Sequence, residues 1–115
     1  MFVVSGSPNI TTDIEDEAEV VLPDQYELSQ NYPNPFNPST TIEFSLPTRS
    51  DVALKVFNVL GQEVAVLLNK TISAGTYKVI WDGHNQNGNE VASGVYFYKL
   101  ETTEFVETKK MILLK

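Results

Sequence analysis

The chain holds 115 residues, the length of a single domain, and carries a formal charge of −7 from fifteen acidic against eight basic residues. It has no cysteine, which excludes disulfides and thiolate metal sites. No apolar run approaches the ~18 residues of a membrane-spanning helix.

The charge is unevenly placed. Seven acids (Asp13, Glu15, Asp16, Glu17, Glu19, Asp24 and Glu27) fall within residues 1–27 with no Lys or Arg among them, and residues 28–115 hold eight acids and eight bases. The body of the chain therefore lacks the basic surplus that phosphate backbones attract, which counts against nucleic acid as a partner. Met1-Phe-Val-Val-Ser-Gly6 has neither the basic start nor the apolar length of a signal peptide. That leaves an intracellular protein or, the preferred expectation, a fragment of a longer exported chain. Two short apolar runs, Phe2-Val-Val4 and Val20-Val-Leu22, bracket an acidic segment whose like charges repel and keep the backbone extended. Residues 1–25 thus read as an acidic linker from a preceding domain, with the domain proper over 26–115. Residues 5–22 are expected to be cut first by an added protease.

Between Asp24 and Pro47, Pro33, Pro35 and Pro38 remove backbone donors and push Tyr32, Asn34 and Asn37 toward extended conformations. The sequence predicts a stiff irregular crossing here, with Tyr32 and Phe36 available to plug the end of a core. Asn34-Pro-Phe36 also matches a short peptide-ligand triplet, but three residues recur by chance too often to carry weight. Ile42, Phe44 and Leu46 then alternate with polar neighbours in a strand stopped by Pro47. Thr48–Asp51 reads as a turn, and Val52, Leu54 and Val56 mark the next strand. A tight turn at Leu60-Gly61 follows. Glu63–Leu68 is predicted extended, its β-branched bias favouring strand over a short helix, and Asn69–Ala74 is a connection.

Gly75–Leu100 reads as a long-looped β-hairpin. Tyr77, Val79 and Trp81 alternate on one arm and Tyr96, Tyr98 and Leu100 on the other. The loop Asp82-Gly-His-Asn-Gln-Asn-Gly-Asn-Glu90 is dense in turn formers, and Ser93-Gly94 resets the chain before the return arm. Glu101–Glu104 is a polar turn and Phe105–Lys115 a last strand. About seven short strands, with turns every 8–12 residues and no helix longer than a turn or two, predict an all-β fold: an antiparallel Ig-like β-sandwich. Ile42, Phe44, Leu54, Val56, Val79, Trp81, Tyr96 and Tyr98 are its expected core.

No constellation for chemistry emerges. The one histidine, His84, lies in the loop without an oriented partner nearby in sequence, so a solvated side chain is the reading. The domain's carboxylates are scattered over strand faces and turns rather than paired for glycoside cleavage. The 82–90 loop faintly resembles a calcium loop, but it opens on a single carboxylate and puts His84 and Gln86 where oxygen ligands would be wanted. Asp82 closing the turn onto backbone amides explains it better. Asn9-Ile-Thr11 and Asn69-Lys-Thr71 are sequons that matter only in a eukaryotic secretory pathway. The sequence calls for no catalytic residue, cofactor, metal or small-molecule substrate.

Several motifs occur in a fixed order. They are Gln30-Asn-Tyr-Pro-Asn-Pro-Phe-Asn-Pro-Ser-Thr-Thr-Ile-Glu-Phe44, Val56-Phe-Asn-Val-Leu-Gly-Gln-Glu-Val64, Ala74-Gly-Thr-Tyr77, Trp81-Asp-Gly83, Ala92-Ser-Gly-Val-Tyr96 and Lys110-Met-Ile-Leu-Leu-Lys115. Together, from about Tyr26 to Lys115, they resemble the type IX secretion C-terminal sorting domain (type A). The central stretch also resembles the Ig-like domain of flagellar hook-capping proteins. The first resemblance implies an address rather than an enzyme. Such domains end large proteins exported by Bacteroidetes and related bacteria, directing an N-terminal cargo domain through the outer-membrane translocon. A sortase-like peptidase then commonly removes the domain. The implied location is the periplasm in transit, then the cell surface or the medium, and an exposed linker over 1–25 suits the peptidase.

The final residues, Lys109, Lys110, Met111, Ile112, Leu113, Leu114 and Lys115, are expected to be recognised by the translocon. Met111–Leu114 is apolar on both faces of a strand. One account covers both faces within the fold. The other, which the resemblance favours, presents the edge and outer face of this strand to the translocon. A different class of function, an Ig-like accessory module of a secreted hydrolase that binds carbohydrate or acts as a spacer, would need Tyr77, Trp81, Tyr96 or Tyr98 on the exposed side. A hook-cap-like structural subunit would need assembly interfaces and an N-terminal region that this chain does not show.

Overall fold

The computed structural model describes residues 21–115. Seven strands form two antiparallel sheets: β1 (Glu27–Leu28), β2 (Thr40–Leu46), β3 (Ser50–Phe57), β4 (Glu63–Ile72), β5 (Gly75–Trp81), β6 (Gly94–Glu101) and β7 (Val106–Leu113). One sheet has the order β1-β2-β5 and the other β4-β3-β6-β7. No helix occurs among the described residues. The all-β sandwich is the architecture that the period-two pattern implies.

Alternation decides which face each strand buries. Ile42, Phe44 and Leu46 on β2, Val52, Leu54 and Val56 on β3, and Tyr96, Tyr98 and Leu100 on β6 point inward and are buried. Of the eight expected core residues, seven are buried, and Val79 is half-buried because β5 lies at the edge of its sheet. Asn58 locks the β3–β4 turn by accepting from the backbone N–H groups of Leu60 (2.9 Å) and Gln62 (3.0 Å). Gly61 supplies the positive φ of 80° that this turn needs.

Four expectations change. First, Gly75–Leu100 is not a hairpin. β5 pairs with β2 and β6 pairs with β3 and β7, so the 82–93 segment crosses from one sheet to the other. Trp81 and Tyr96 therefore meet across the core, with ring centroids 5.4 Å apart and edge to face, rather than side by side on one sheet. Second, the 69–74 connection shrinks to Ser73-Ala74. Asn69 and Thr71 pair with Ala53 and Asp51, and an edge strand can carry such polar side chains outward. Third, Ser50 and Asp51 belong to β3 rather than to the preceding turn. Fourth, Tyr32 plugs nothing. Its backbone bridges Thr41 through two 2.9 Å hydrogen bonds, and its ring is 80% exposed. Phe36 does act as the plug: it is buried, its ring 5.7 Å from that of Trp81.

The linker expected over 1–25 falls mostly outside the described residues. Of the part described, Val21 and Leu22 are exposed. At the end where the chain enters the sandwich, Tyr26 stacks on Phe105 with centroids 5.3 Å apart.

Candidate functional site

The residues expected to carry recognition lie on β7 and just beyond it. Among the described strands β7 neighbours β6 alone, with Tyr96 opposite Met111, Val95 opposite Ile112 and Gly94 opposite Leu113. The apolar run divides by face: Met111 and Leu113 are fully buried in the core, Ile112 is half-buried on the outer face and Leu114 is exposed. Lys109 is held by Glu107 at 3.4 Å, and the Lys115 ammonium reaches Glu90 at 3.3 Å. Pairs this exposed contribute little to stability. Lys110 is exposed beside Phe97 and makes no ion pair among the described residues.

The outer edge of β7 is already occupied. Phe36 donates its N–H to the Ile112 carbonyl and accepts from the Leu114 N–H, both at 2.9 Å. Asn34 Oδ1 accepts the Ile112 N–H at 3.0 Å, and the Gln30 amide donates to the Lys110 carbonyl at 2.8 Å. The proline-rich crossing thus meets β7 in parallel at a single bridge, Phe36 with Leu113, between bends at 33–35 and 37–38 rather than as the extended stretch the prolines suggested. What remains for a partner is the outer face at Lys110, Ile112 and Leu114. The sequence suggested a plug at Phe36 but gave no sign of this edge pairing, because nothing periodic links residues so far apart in the chain.

The loop 82–93 sits beside the same end. Asp82 Oδ1 accepts the His84 backbone N–H at 3.1 Å, closing the turn as expected, and lies 3.1 Å from His84 Nδ1. Gly83 has φ of 80°, and a Cβ there would meet the Pro38 carbonyl oxygen at 3.2 Å, so both conformation and space call for glycine. Asn37, Pro38, Asp82, Glu90 and Leu113 surround a cavity of about 260 Å³. Among the described residues no three His, Asp or Glu side chains come close enough to hold a metal ion. Trp81, Tyr96 and Tyr98 are buried, and Tyr77 is half-buried and stacked on Phe44 at 5.6 Å, so the aromatics that a carbohydrate platform would use are committed to the core.

A family model described as the FlgD Ig-like domain matches residues 34–104. The chain belongs to the FlgD Ig-like domain family. No curated protein matches it in sequence. Among solved structures it is similar to dimeric latent PorU from Porphyromonas gingivalis, at 19% identity and a TM-score of 0.62, covering 90% of this chain and 10% of PorU. It is also similar to FlgD from P. aeruginosa, at 18% identity and a TM-score of 0.51, covering 83% of this chain and 74% of that one. PorZ, an essential bacterial surface component of the type-IX secretion system of P. gingivalis, aligns at 20% identity and a TM-score of 0.49, over 80% of this chain and 12% of PorZ. These likenesses concern the fold. The chain spans about a tenth of the PorU structure, and the FlgD Ig-like match ends before β7, where the candidate recognition residues begin.

Proposed function

We propose that residues 26–115 are a C-terminal sorting domain, which directs a larger cargo protein across the outer membrane to the cell surface through the type IX translocon. The observation that carries this is the ordered motif set from Gln30-Asn-Tyr-Pro to Lys110-Met-Ile-Leu-Leu-Lys, which runs through and beyond the FlgD Ig-like match. The fold suits an address. It is an antiparallel β-sandwich of the FlgD Ig-like family, a scaffold whose surface strands can be read by a partner. The partners are the outer-membrane translocon, the N-terminal cargo domain that the address serves, and a sortase-like peptidase acting at the linker. The domain passes through the periplasm, and its cargo ends on the cell surface or in the medium.

The geometry refines which of residues 109–115 a translocon would read. Met111 and Leu113 are core and the strand's edge is covered, so recognition falls to the outer face at Lys110, Ile112 and Leu114; Lys109, opposite Tyr98, lies on the side of Met111 and Leu113. Deleting Lys110–Lys115 would remove two buried side chains and could block export simply by unfolding the domain. The sharper test is Ile112→Glu with Leu114→Glu in a cargo fusion, with thermal unfolding of the domain alongside. The expected result is cargo held in the periplasm by a domain that still unfolds cooperatively. Normal surface delivery by that folded variant would sink the recognition role.

A further inference from the structure

Sheets end in edges, and a bare edge is a template for another strand, so proteins close theirs. Three edges of this sandwich are closed in different ways. That of β7 lies under the 34–36 segment. That of β4 carries two irregularities in its ladder with β3, and its Val64 carbonyl is taken by the Gln86 N–H at 3.1 Å. β1 is only two residues long. β5 has none of these protections. Its seven residues contain no proline, its register with β2 is unbroken from Gly75 to Trp81, and no strand or loop among the described residues bonds to its other side.

The core is open behind this edge. Tyr77 and Val79 point inward yet stay half-buried, whereas Phe44 and Ile42, opposite them on β2, are fully buried. Across the gap on β4, Val64, Leu67, Leu68 and Ile72 pack on the core and also remain partly exposed. Lys70 on β4 flanks the opening, while Lys78, alternating with Tyr77 and Val79, lies on the outer face of β5 directly across from Glu43 on β2. Both are exposed, and neither makes an ion pair among the described residues. Val21 and Leu22, which precede the domain, are exposed and do not cover it.

We propose that the β5 edge is a docking site for an extended strand of another protein. That strand adds to the sheet beyond β5, inserts apolar side chains at alternate positions over Tyr77 and Val79, and places an acidic side chain against Lys78. Main-chain hydrogen bonds to β5 supply the attachment and the alternate side chains the selection. Lys78 decides the kind of partner. It is the middle residue of Gly75–Trp81, so the two-fold antiparallel pairing that overlaps the whole of β5 with β5 of a second copy would set lysine opposite lysine, and like charges directly opposite disfavour that register. The same charge favours an acidic strand. This inference stands apart from the sorting role and survives if that role fails.

The test uses the full 115-residue chain and two synthetic nine-residue peptides. Both have valine at alternate positions, one with a central glutamate and the other with a central lysine. Amide spectra and amide exchange are read with each peptide. The expected result is that amides within Thr76–Trp81 shift, with alternate ones gaining protection, and that the glutamate peptide binds more tightly. In Lys78→Glu, an exposed substitution, the preference should reverse, with affinity for the glutamate peptide falling on the order of fivefold. No binding, perturbations confined to β4 or β7, equal affinity for both peptides, or dimerisation of the unaltered chain through β5 would each overturn the proposal.

Discussion

Trp81 closes β5 at the point where the chain leaves one sheet for the other. Its indole is enclosed, 1% exposed, with the rings of Phe36 and Tyr96 at 5.7 and 5.4 Å. The indole N–H donates to the His84 carbonyl at 3.0 Å, so one side chain both fills the core and anchors the crossing loop. Trp81→Ala should cost about 3–5 kcal/mol, because the cavity lies among rigid rings that cannot collapse into it. Trp81→Phe should cost less, restoring much of the volume but leaving the His84 carbonyl without its donor. Urea unfolding of the two variants measures both terms. Equal midpoints for Trp81→Ala and the unaltered protein would mean that the ring is not enclosed.

At the scale of the element, β7 depends on a segment that the sequence marks only as irregular. The 34–36 stretch covers its edge through Phe36 backbone bonds and the Asn34 side chain, while the Phe36 ring enters the core beneath. Asn34→Ala should remove one hydrogen bond, worth about 0.5–1.5 kcal/mol, and speed exchange of the Ile112 amide without disturbing Met111 or Leu113. Phe36→Ala should cost about 3–5 kcal/mol and release the Leu114 amide as well. Exchange of individual amides distinguishes the two; unchanged rates at Ile112 in Asn34→Ala would detach the asparagine from this role. The strands themselves were legible because their period-two pattern survives folding, from Ile42-Glu-Phe to Tyr96-Phe-Tyr98. Their partners were less so. Alternation records which face of a strand is buried, and it is the same whether Trp81 and Tyr96 share a sheet or meet across the core. A 12-residue crossing rich in glycine and asparagine therefore looks like a hairpin loop. The covered edge of β7 was illegible for a similar reason: backbone pairing leaves no side-chain signature. The unguarded edge of β5 likewise appears only once the sheet order is known.

For the molecule as a whole, the two sheets are tied by more than their shared apolar core. The Tyr98 hydroxyl, on β6, donates to the Ser29 carbonyl at 2.7 Å and accepts the Asn31 N–H at 2.8 Å, joining the four-stranded sheet to the segment that follows β1 in the other. Burial pushes this phenol up to about 12 from its ordinary value of 10.0; the Asn31 N–H offsets part of that, and the nearby Glu107 carboxylate adds to it. Burial also raises Tyr96, whose hydroxyl donates to the Ala92 carbonyl at 2.6 Å. The sign follows from proton counting. Between pH 10 and about 12 the unfolded chain has lost the Tyr98 proton while the folded protein keeps it. Folding there requires taking up a proton, so stability falls as pH rises. Below pH 10 both states hold the proton and the contribution is fully present. The melting temperature should therefore be insensitive to this group up to about pH 10 and decline above it. Tyr98→Phe should lower stability at neutral pH by about 1–3 kcal/mol, since Ser29 and Asn31 lose their partner in a buried site. The same variant should decline less steeply above pH 10, retaining the share due to Tyr96. Thermal unfolding of both proteins from pH 7 to 11.5 reads this directly. Parallel curves would mean that the Tyr98 hydroxyl titrates alike in the folded and unfolded states, and that the tie between the sheets does not depend on its proton.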